Sequence, residues 1–259
     1  MHQTQSAIVQ AATELVRARR TGRRLEALPC DEVLLGLEQG FEIQQQVGVL
    51  AGKTVGGWKC AMPKPGKWIV APIYTDSIVR TPRYPLDFAT STVRIEPELA
   101  CVLGADLPAR STPYTADDIL RSISQVHLSL EVIDCRYADP HKVNFEQLLA
   151  DGLFNHGLVL GPQAISLDAR NLPLHLDVTL SYPGVEPVSI CGAHPDHDPV
   201  SPIVWLANFL SARGIDLRTG QVVITGSYAG VLEVPIHQPL NIQFGEAGSL
   251  PVFFSTLEE

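Results

Sequence analysis

The chain has 259 residues and a mass of 28.2 kDa, which suits one large α/β or β-rich domain or two small ones. Hydrophobic residues make up 45% and charged residues 18%, enough apolar content for a sizeable core, and wholesale disorder is excluded. With 19 Lys and Arg against 28 Asp and Glu the formal charge is −9, so nucleic acid and anionic membranes are not expected partners, and an anionic substrate must be drawn by a local cation.

Helices are expected first. Ser6 to Arg20 places Ile8, Ala11, Ala12, Leu15 and Val16 at helical spacing and ends on Arg17, Arg19 and Arg20, where a helix C-terminus favours positive charge. Thr21 and Gly22 stop it. Pro29 and Asp31 start a second helix, with Leu34, Leu37 and Phe41 as its apolar stripe and Gly52 at its end. From Val55 short Val/Ile/Leu-rich segments alternate with Gly/Pro turns, and strands are predicted near 55–60, 69–74, 77–81, 92–103, 127–135, 156–161, 174–182, 186–191, 221–226, 231–235, 240–244 and 250–256. Three helices interrupt them: one capped by Thr115, one capped by Asn144, and one opened by Ser201-Pro202 and closed by Gly214.

The pattern predicts an α+β fold, a helical N-terminal part (1–54) followed by a mostly antiparallel, rolled or barrel-like β core (55–259). The five cysteines (Cys30, Cys60, Cys101, Cys135, Cys191) are odd in number, dispersed and without a C-x-x-C, which points to a reducing cytoplasm. No apolar leader and no run of about 18 apolar residues is found, so neither a signal peptide nor a membrane span is expected.

The chemistry concentrates in Thr92-Val-Arg-Ile-Glu-Pro-Glu-Leu-Ala-Cys-Val-Leu103. In a strand, Val93, Ile95, Leu99, Cys101 and Leu103 share one face, and Glu96 and Glu98 share the other, about 6.5–7 Å apart. Pro97 between them cannot donate to a ladder, which implies an edge or bulged position. In the strand Leu128–Tyr137, Glu131 points away from Leu128, Leu130 and Val132. Three carboxylates converging on one cavity repel one another, and a hard divalent cation with oxygen ligands, Mg²⁺ or Mn²⁺, removes the conflict. The plainer alternative is a solvated Glu96/Glu98 face with Glu131 paired to an arginine.

RIEPELACVL (94–103) and LEVIDCRY (130–137) resemble segments of the 2-keto-4-pentenoate hydratase family, in the fumarylacetoacetate hydrolase superfamily. VGGWKCAMP (55–63), AHPDHDPVSPIVWLANFL (193–210) and LRTGQVVITGS (217–227) are similar to three further segments, in the same order, so the resemblance covers nearly the whole chain. It implies a fumarylacetoacetate-hydrolase-like fold and Mg²⁺ or Mn²⁺ held by Glu96, Glu98 and Glu131. It also implies proton transfer near Lys59 and Asp76, and substrate contacts at Asp151 and Ser227. The implied reaction is addition of water to 2-hydroxypenta-2,4-dienoate or a close 2-oxo unsaturated acid from aromatic meta-cleavage. A 2-oxo-3-hexenedioate decarboxylase is the alternative, acylpyruvate hydrolysis ranks third, and a non-catalytic keto-acid-binding or assembly paralogue is the non-enzyme reading. A homo-oligomer and association with a partner enzyme of the same pathway are further implications. One departure is clear: the family reads Ala-Asp-Asn where this chain has Ala150-Asp151-Gly152, so an amide is missing there.

Other features are set aside. Gly52-Lys53-Thr54 follows a helix, and its glycine spacing fails the phosphate-loop pattern. His194-x-x-His197 lies in a Pro-rich turn and is read as a cap for the following helix. His127, His156, His175 and His237 are read as structural, Arg136 as a partner of Asp134 or a neighbouring carboxylate, and Cys60 as a small buried thiol.

Overall fold

The computed structural model describes residues 2–29 and 36–257; the expected helix start at Asp31 and its Leu34 lie outside these. Helix α1 (His2–Thr21) buries Ile8, Ala11, Ala12 and Leu15 and ends at Gly22, whose φ of +68° only glycine adopts at little cost. Helix α2 (Leu37–Ala51) closes on Gly52, whose N–H reaches the carbonyls of Gly48 and Val49. Gly52 is thus a helix cap and not part of a phosphate loop. Together with Cys135, Tyr137 and Ala150, the two helices form a small core of their own (Ile8, Leu15, Ile43, Val47).

The β core is two sheets. The larger contains β1 (Val55–Cys60), β2 (Val70–Tyr74), β3 (Ile78–Val79), β5 (Thr92–Leu103), β6 (Ile123–Ile133), β7 (Asn155–Ala164), β10 (Val222–Ile224) and β11 (Leu232–Pro235). Its order is β2-β1-β10-β5-β6-β7-β3, with β11 also on β5, and β2 packs back against β7 so that the sheet is a nearly closed barrel. The smaller has the order β4-β13-β12-β8-β9, from β4 (Arg83–Leu86), β8 (Val178–Ser181), β9 (Val188–Ile190), β12 (Pro239–Phe244) and β13 (Gly248–Thr256). Pairings are antiparallel except β1–β10, β3–β7 and β4–β13. The α+β, barrel-like architecture read from the sequence is the one observed.

Alternation along β5 sorts the two faces. Val93, Ile95, Leu99, Cys101 and Leu103 enter the main core, which the smaller sheet and helix α5 (Ser201–Ser211) complete through Phe244, Phe254, Ile203 and Leu206. Ala100 and Val102 face the barrel interior with Ile73, Leu158, Leu160, Val222 and Ile224. That interior is apolar at one end and carries the glutamates at the other.

Three expectations change. Strand β4 was not anticipated, because Arg83-Tyr-Pro-Leu86 holds a proline that a central strand would reject; β4 is an edge, where proline is tolerated. Strand β6 begins at Ile123 rather than near 127, directly at the end of α3 (Ala116–Ser122). The strand expected at 77–81 shrinks to two residues behind a 3-10 turn at Thr75–Ser77. Caps fare better. Thr115 Oγ1 accepts from Asp118 N at 3.2 Å, and Asp118 Oδ2 accepts from Thr115 N at 3.1 Å. Thr115→Ala is expected to lower unfolding free energy by about 1 kcal/mol in a urea titration. Asn144 caps α4 (Phe145–Ala150), and Asp198 accepts from Val200 N at the entry to α5, as expected of the Pro-rich turn. No described helix is long and apolar enough to cross a membrane.

Candidate metal centre

The β5–β6 register sets Glu96 directly across from Glu131, and Glu98 across from Ser129. Pro97 is neither at a sheet edge nor in a bulge. On its other side β5 pairs with β11 through residue 95 and with β10 from residue 100, leaving a gap at 96–99. Proline's missing N–H falls in that gap. The Pro97 carbonyl there accepts from Tyr228 N and Ser227 Oγ, both at 3.1 Å, so the chain leaving β10 arches over the two glutamates.

Glu96, Glu98 and Glu131 offer oxygens that all lie within 4.8 Å of one another. Glu131 is fully buried, Glu98 nearly so, and Glu96 half-buried. Lys59, on the inward face of β1, donates to both Glu131 oxygens at 2.7 and 2.8 Å and to the Leu153 carbonyl at 3.1 Å. The partner of Glu131 is therefore this lysine and not an arginine. Gly226 N donates to Glu98 Oε2 at 2.6 Å. Gly226 has φ +129° and faces Pro195, so a side chain there would be both strained and crowded.

Burial and the Glu131 carboxylate push the Glu96 carboxyl up to about 7. Burial, then Glu131 and Glu96, raise Glu98 well above the carboxylate range. Burial opposes the charge on Lys59, but Glu131 and Glu96 outweigh it and raise the ammonium's pKa. Three carboxylates against one lysine leave negative charge uncompensated in a poorly hydrated place. An all-oxygen donor set on rigid strands fits a hard divalent cation there. The sign of the pH dependence follows. Glu96 and Glu98 have raised pKa values when folded, so the unfolded chain binds fewer protons above its own carboxylate pKa, and cation-free stability falls as pH rises from about 4.5 to about 7. Thermal melts across this range should show that fall in EDTA and its reversal with saturating Mg²⁺.

The structure brings Lys59, Glu96, Glu98 and Glu131 together, with Ser227 close by through Pro97. It does not bring the other two candidates there. Asp76 is exposed on its 3-10 turn and ion-paired with Lys53. Asp151 is buried, but its carboxylate binds Arg136 Nε at 2.5 Å and Arg136 N at 3.0 Å, with Arg19 at 3.3 Å. Asp151 rather than Asp134, which lies 3.9 Å away, is thus the main partner of Arg136.

Sequence reasoning missed Asn155. Its Nδ2 donates to Glu131 Oε1 at 2.8 Å, so an amide that seemed absent after Asp151 reaches the centre four residues later. The intervening Gly152, Leu153 and Phe154 have φ of +90°, +51° and +69°. Two non-glycine residues in this region mark stored strain, of order 1–3 kcal/mol each. The strained turn aims both the Leu153 carbonyl at Lys59 and the Asn155 amide at Glu131. The only signal in the sequence was an Asn just ahead of an apolar strand. Cys60 has the expected character: its thiol is buried, pushed up by burial, and donates weakly to Pro202 O at 3.4 Å.

The model of the fumarylacetoacetate (FAA) hydrolase C-terminal family matches residues 59–251. The chain belongs to this family. Within the fumarylacetoacetate hydrolase family its relatives include hydratases. The 2-oxo-hept-4-ene-1,7-dioate hydratase of Escherichia coli is 24% identical, with 94% of this chain and 96% of the relative covered. The 2-keto-4-pentenoate hydratase of Paraburkholderia xenovorans is 30% identical over 63% of this chain and 59% of the relative. The solved structure of 4-oxalocrotonate decarboxylase from Pseudomonas putida G7, complexed with magnesium and adipate, shares the fold at a TM-score of 0.78, with 19% identity over 97% of this chain and 98% of that one. This member of the family is accordingly an enzyme, a lyase.

Proposed function

We propose that the protein hydrates 2-hydroxypenta-2,4-dienoate or a close 2-oxo unsaturated acid, with Mg²⁺ or Mn²⁺ held by Glu96, Glu98 and Glu131. The observation that carries this is the convergence of the three carboxylates within 4.8 Å beside one charged lysine. Hydratases among the sequence relatives and magnesium in the decarboxylase structure support it.

A bound cation would supply Lewis-acid polarisation of the acid's 2-oxygen. The chain's own groups do the rest. Gly226 N–H and Asn155 Nδ2 fix the orientation of Glu98 and Glu131. Lys59 Nζ keeps its proton, held at two Glu131 oxygens and the Leu153 carbonyl. It therefore acts as a fixed positive charge and proton donor beside the reacting acid rather than as a free base.

Hydration is placed ahead of decarboxylation because the sequence relatives named above are hydratases, one of them named for a dioate. The test is an absorbance assay with Mg²⁺ and a panel of dienols: loss of the chromophore without CO₂ release supports hydration, CO₂ release moves the reading to decarboxylation, and no change with any substrate overturns catalysis. Lys59→Met should lower turnover by roughly 10²–10⁴-fold. Mg²⁺ should bind more tightly to that variant by calorimetry, because a competing positive charge is gone.

A further inference from the structure

A second cavity, of about 640 Å³, lies between the end of α1, the turn after β2, and β4. None of Lys59, Glu96, Glu98 or Glu131 lines it. Five of its lining side chains are cationic: Arg19, Arg20, Arg24, Lys53 and Arg136. In a chain of net charge −9 this is a local reversal of sign.

Two of these five cations have a carboxylate close at hand. Arg24 pairs with Asp134 at 2.8 Å, and Lys53 pairs with Asp76. The mismatch is at the inner end, where Arg19 and Arg136 share the carboxylate of Asp151 and Arg136 has beyond it only a 3.9 Å ion pair with Asp134, already taken by Arg24, so three guanidiniums meet two carboxylates. Arg136 is 96% buried, since its side chain keeps only 4% of its exposure, and its Nη1 has no hydrogen-bond partner. Arg19 Nε is also buried without one. Burial, then repulsion from Arg136, holds the Arg19 pKa below its usual range. His156 does not add to the charge, because burial lowers its pKa. A buried surplus guanidinium is costly unless an anion meets it. Tyr84 and Phe88 supply an apolar wall to the same cavity, whose volume is that of an organic ligand and far exceeds a bare inorganic ion.

We propose that this cavity binds a small organic carboxylate with an apolar body, its carboxylate toward Arg19 and Arg136 and its body against Tyr84 and Phe88. The proposal is independent of the reaction at the glutamates. It is tested by calorimetric titration of benzoate into the full chain in EDTA, where no cation can chelate the probe at the metal centre. Saturable binding with a Kd of about 1–10 mM is expected. Arg19→Gln should weaken it by about tenfold or more, Arg20→Gln by about threefold, and added salt should weaken it further. Arg20 is exposed, so its variant reports even if the Arg19 variant does not fold. Glu98→Gln should leave the benzoate Kd unchanged. The proposal fails if no saturable binding occurs, if both arginine variants bind as the parent does, if inorganic phosphate binds as tightly as benzoate, or if Glu98→Gln abolishes binding.

Discussion

Glu98→Gln should leave the cation-free protein as stable as the parent while removing its response to magnesium. The reason lies in the raised pKa of Glu98. Burial, Glu131 and Glu96 keep this carboxyl protonated well above its usual range in the absence of a cation. Glutamine has the shape and neutrality of that protonated acid, and its amide oxygen can still accept from Gly226 N, as Glu98 Oε2 does at 2.6 Å. Nothing in the cation-free fold is therefore lost. What glutamine cannot do is give up a proton and become an anionic ligand. In the parent, Mg²⁺ at 100 times its Kd should add about 2.7 kcal/mol to unfolding free energy, and in the variant it should add nothing measurable. Turnover should fall by at least about 10²–10³-fold. Melting curves with and without Mg²⁺, run beside the dienol assay, give both readouts. A variant that keeps the full magnesium shift would remove Glu98 from the cation site.

Much of this centre was legible before the structure. Period-two alternation from Thr92 to Leu103 put Glu96 and Glu98 on one face, and an ionisable residue in the apolar run around Glu131 demanded a partner. Both are local signals, and strands carry them well. The fold class was legible for the same reason: strand-like segments outnumber helices and are not interleaved with them. What was not legible is what depends on where distant segments meet. Asn155 reaches Glu131 because three residues of left-handed backbone turn it inward, and no residue preference announces φ of +51° at Leu153 or +69° at Phe154. The gap beside Pro97 depends on β10 ending and β11 beginning on the same neighbour, a pairing between segments more than a hundred residues apart. Asp76 and Asp151 were chosen by resemblance of segments, and resemblance does not say that Lys53 or Arg136 will take their charge.

The strained turn also needs something to hold it, and Arg136 is that support. Its Nε donates to Asp151 Oδ1 at 2.5 Å, and its Nη2 donates to the carbonyls of Asp151 at 2.6 Å and Asn155 at 3.1 Å. These contacts clamp both ends of the segment 151–155, so the left-handed residues between them cannot relax without breaking buried charged hydrogen bonds. Arg136→Leu leaves the buried Asp151 carboxylate with the backbone N–H of residue 136 at 3.0 Å and Arg19 at 3.3 Å as its remaining contacts, and removes the guanidinium from the Asn155 carbonyl. Breaking a buried pair from one side costs about 3–5 kcal/mol. Chemical denaturation should show a loss of that size. Removing both charges, in Arg136→Leu with Asp151→Leu, should recover part of it, because no carboxylate is then stranded. Activity should not recover with stability. In the double variant the guanidinium clamp is gone, and the segment keeps only weaker restraint from Arg19 at the residue 151 carbonyl and from Asp134 N at the Phe154 carbonyl, so the Leu153 carbonyl and the Asn155 amide are aimed less firmly at Lys59 and Glu131. Assayed at a temperature where it is fully folded, the double variant should still turn over at least about tenfold more slowly than the parent. Parental turnover in that folded double variant would show that the clamp serves the fold alone.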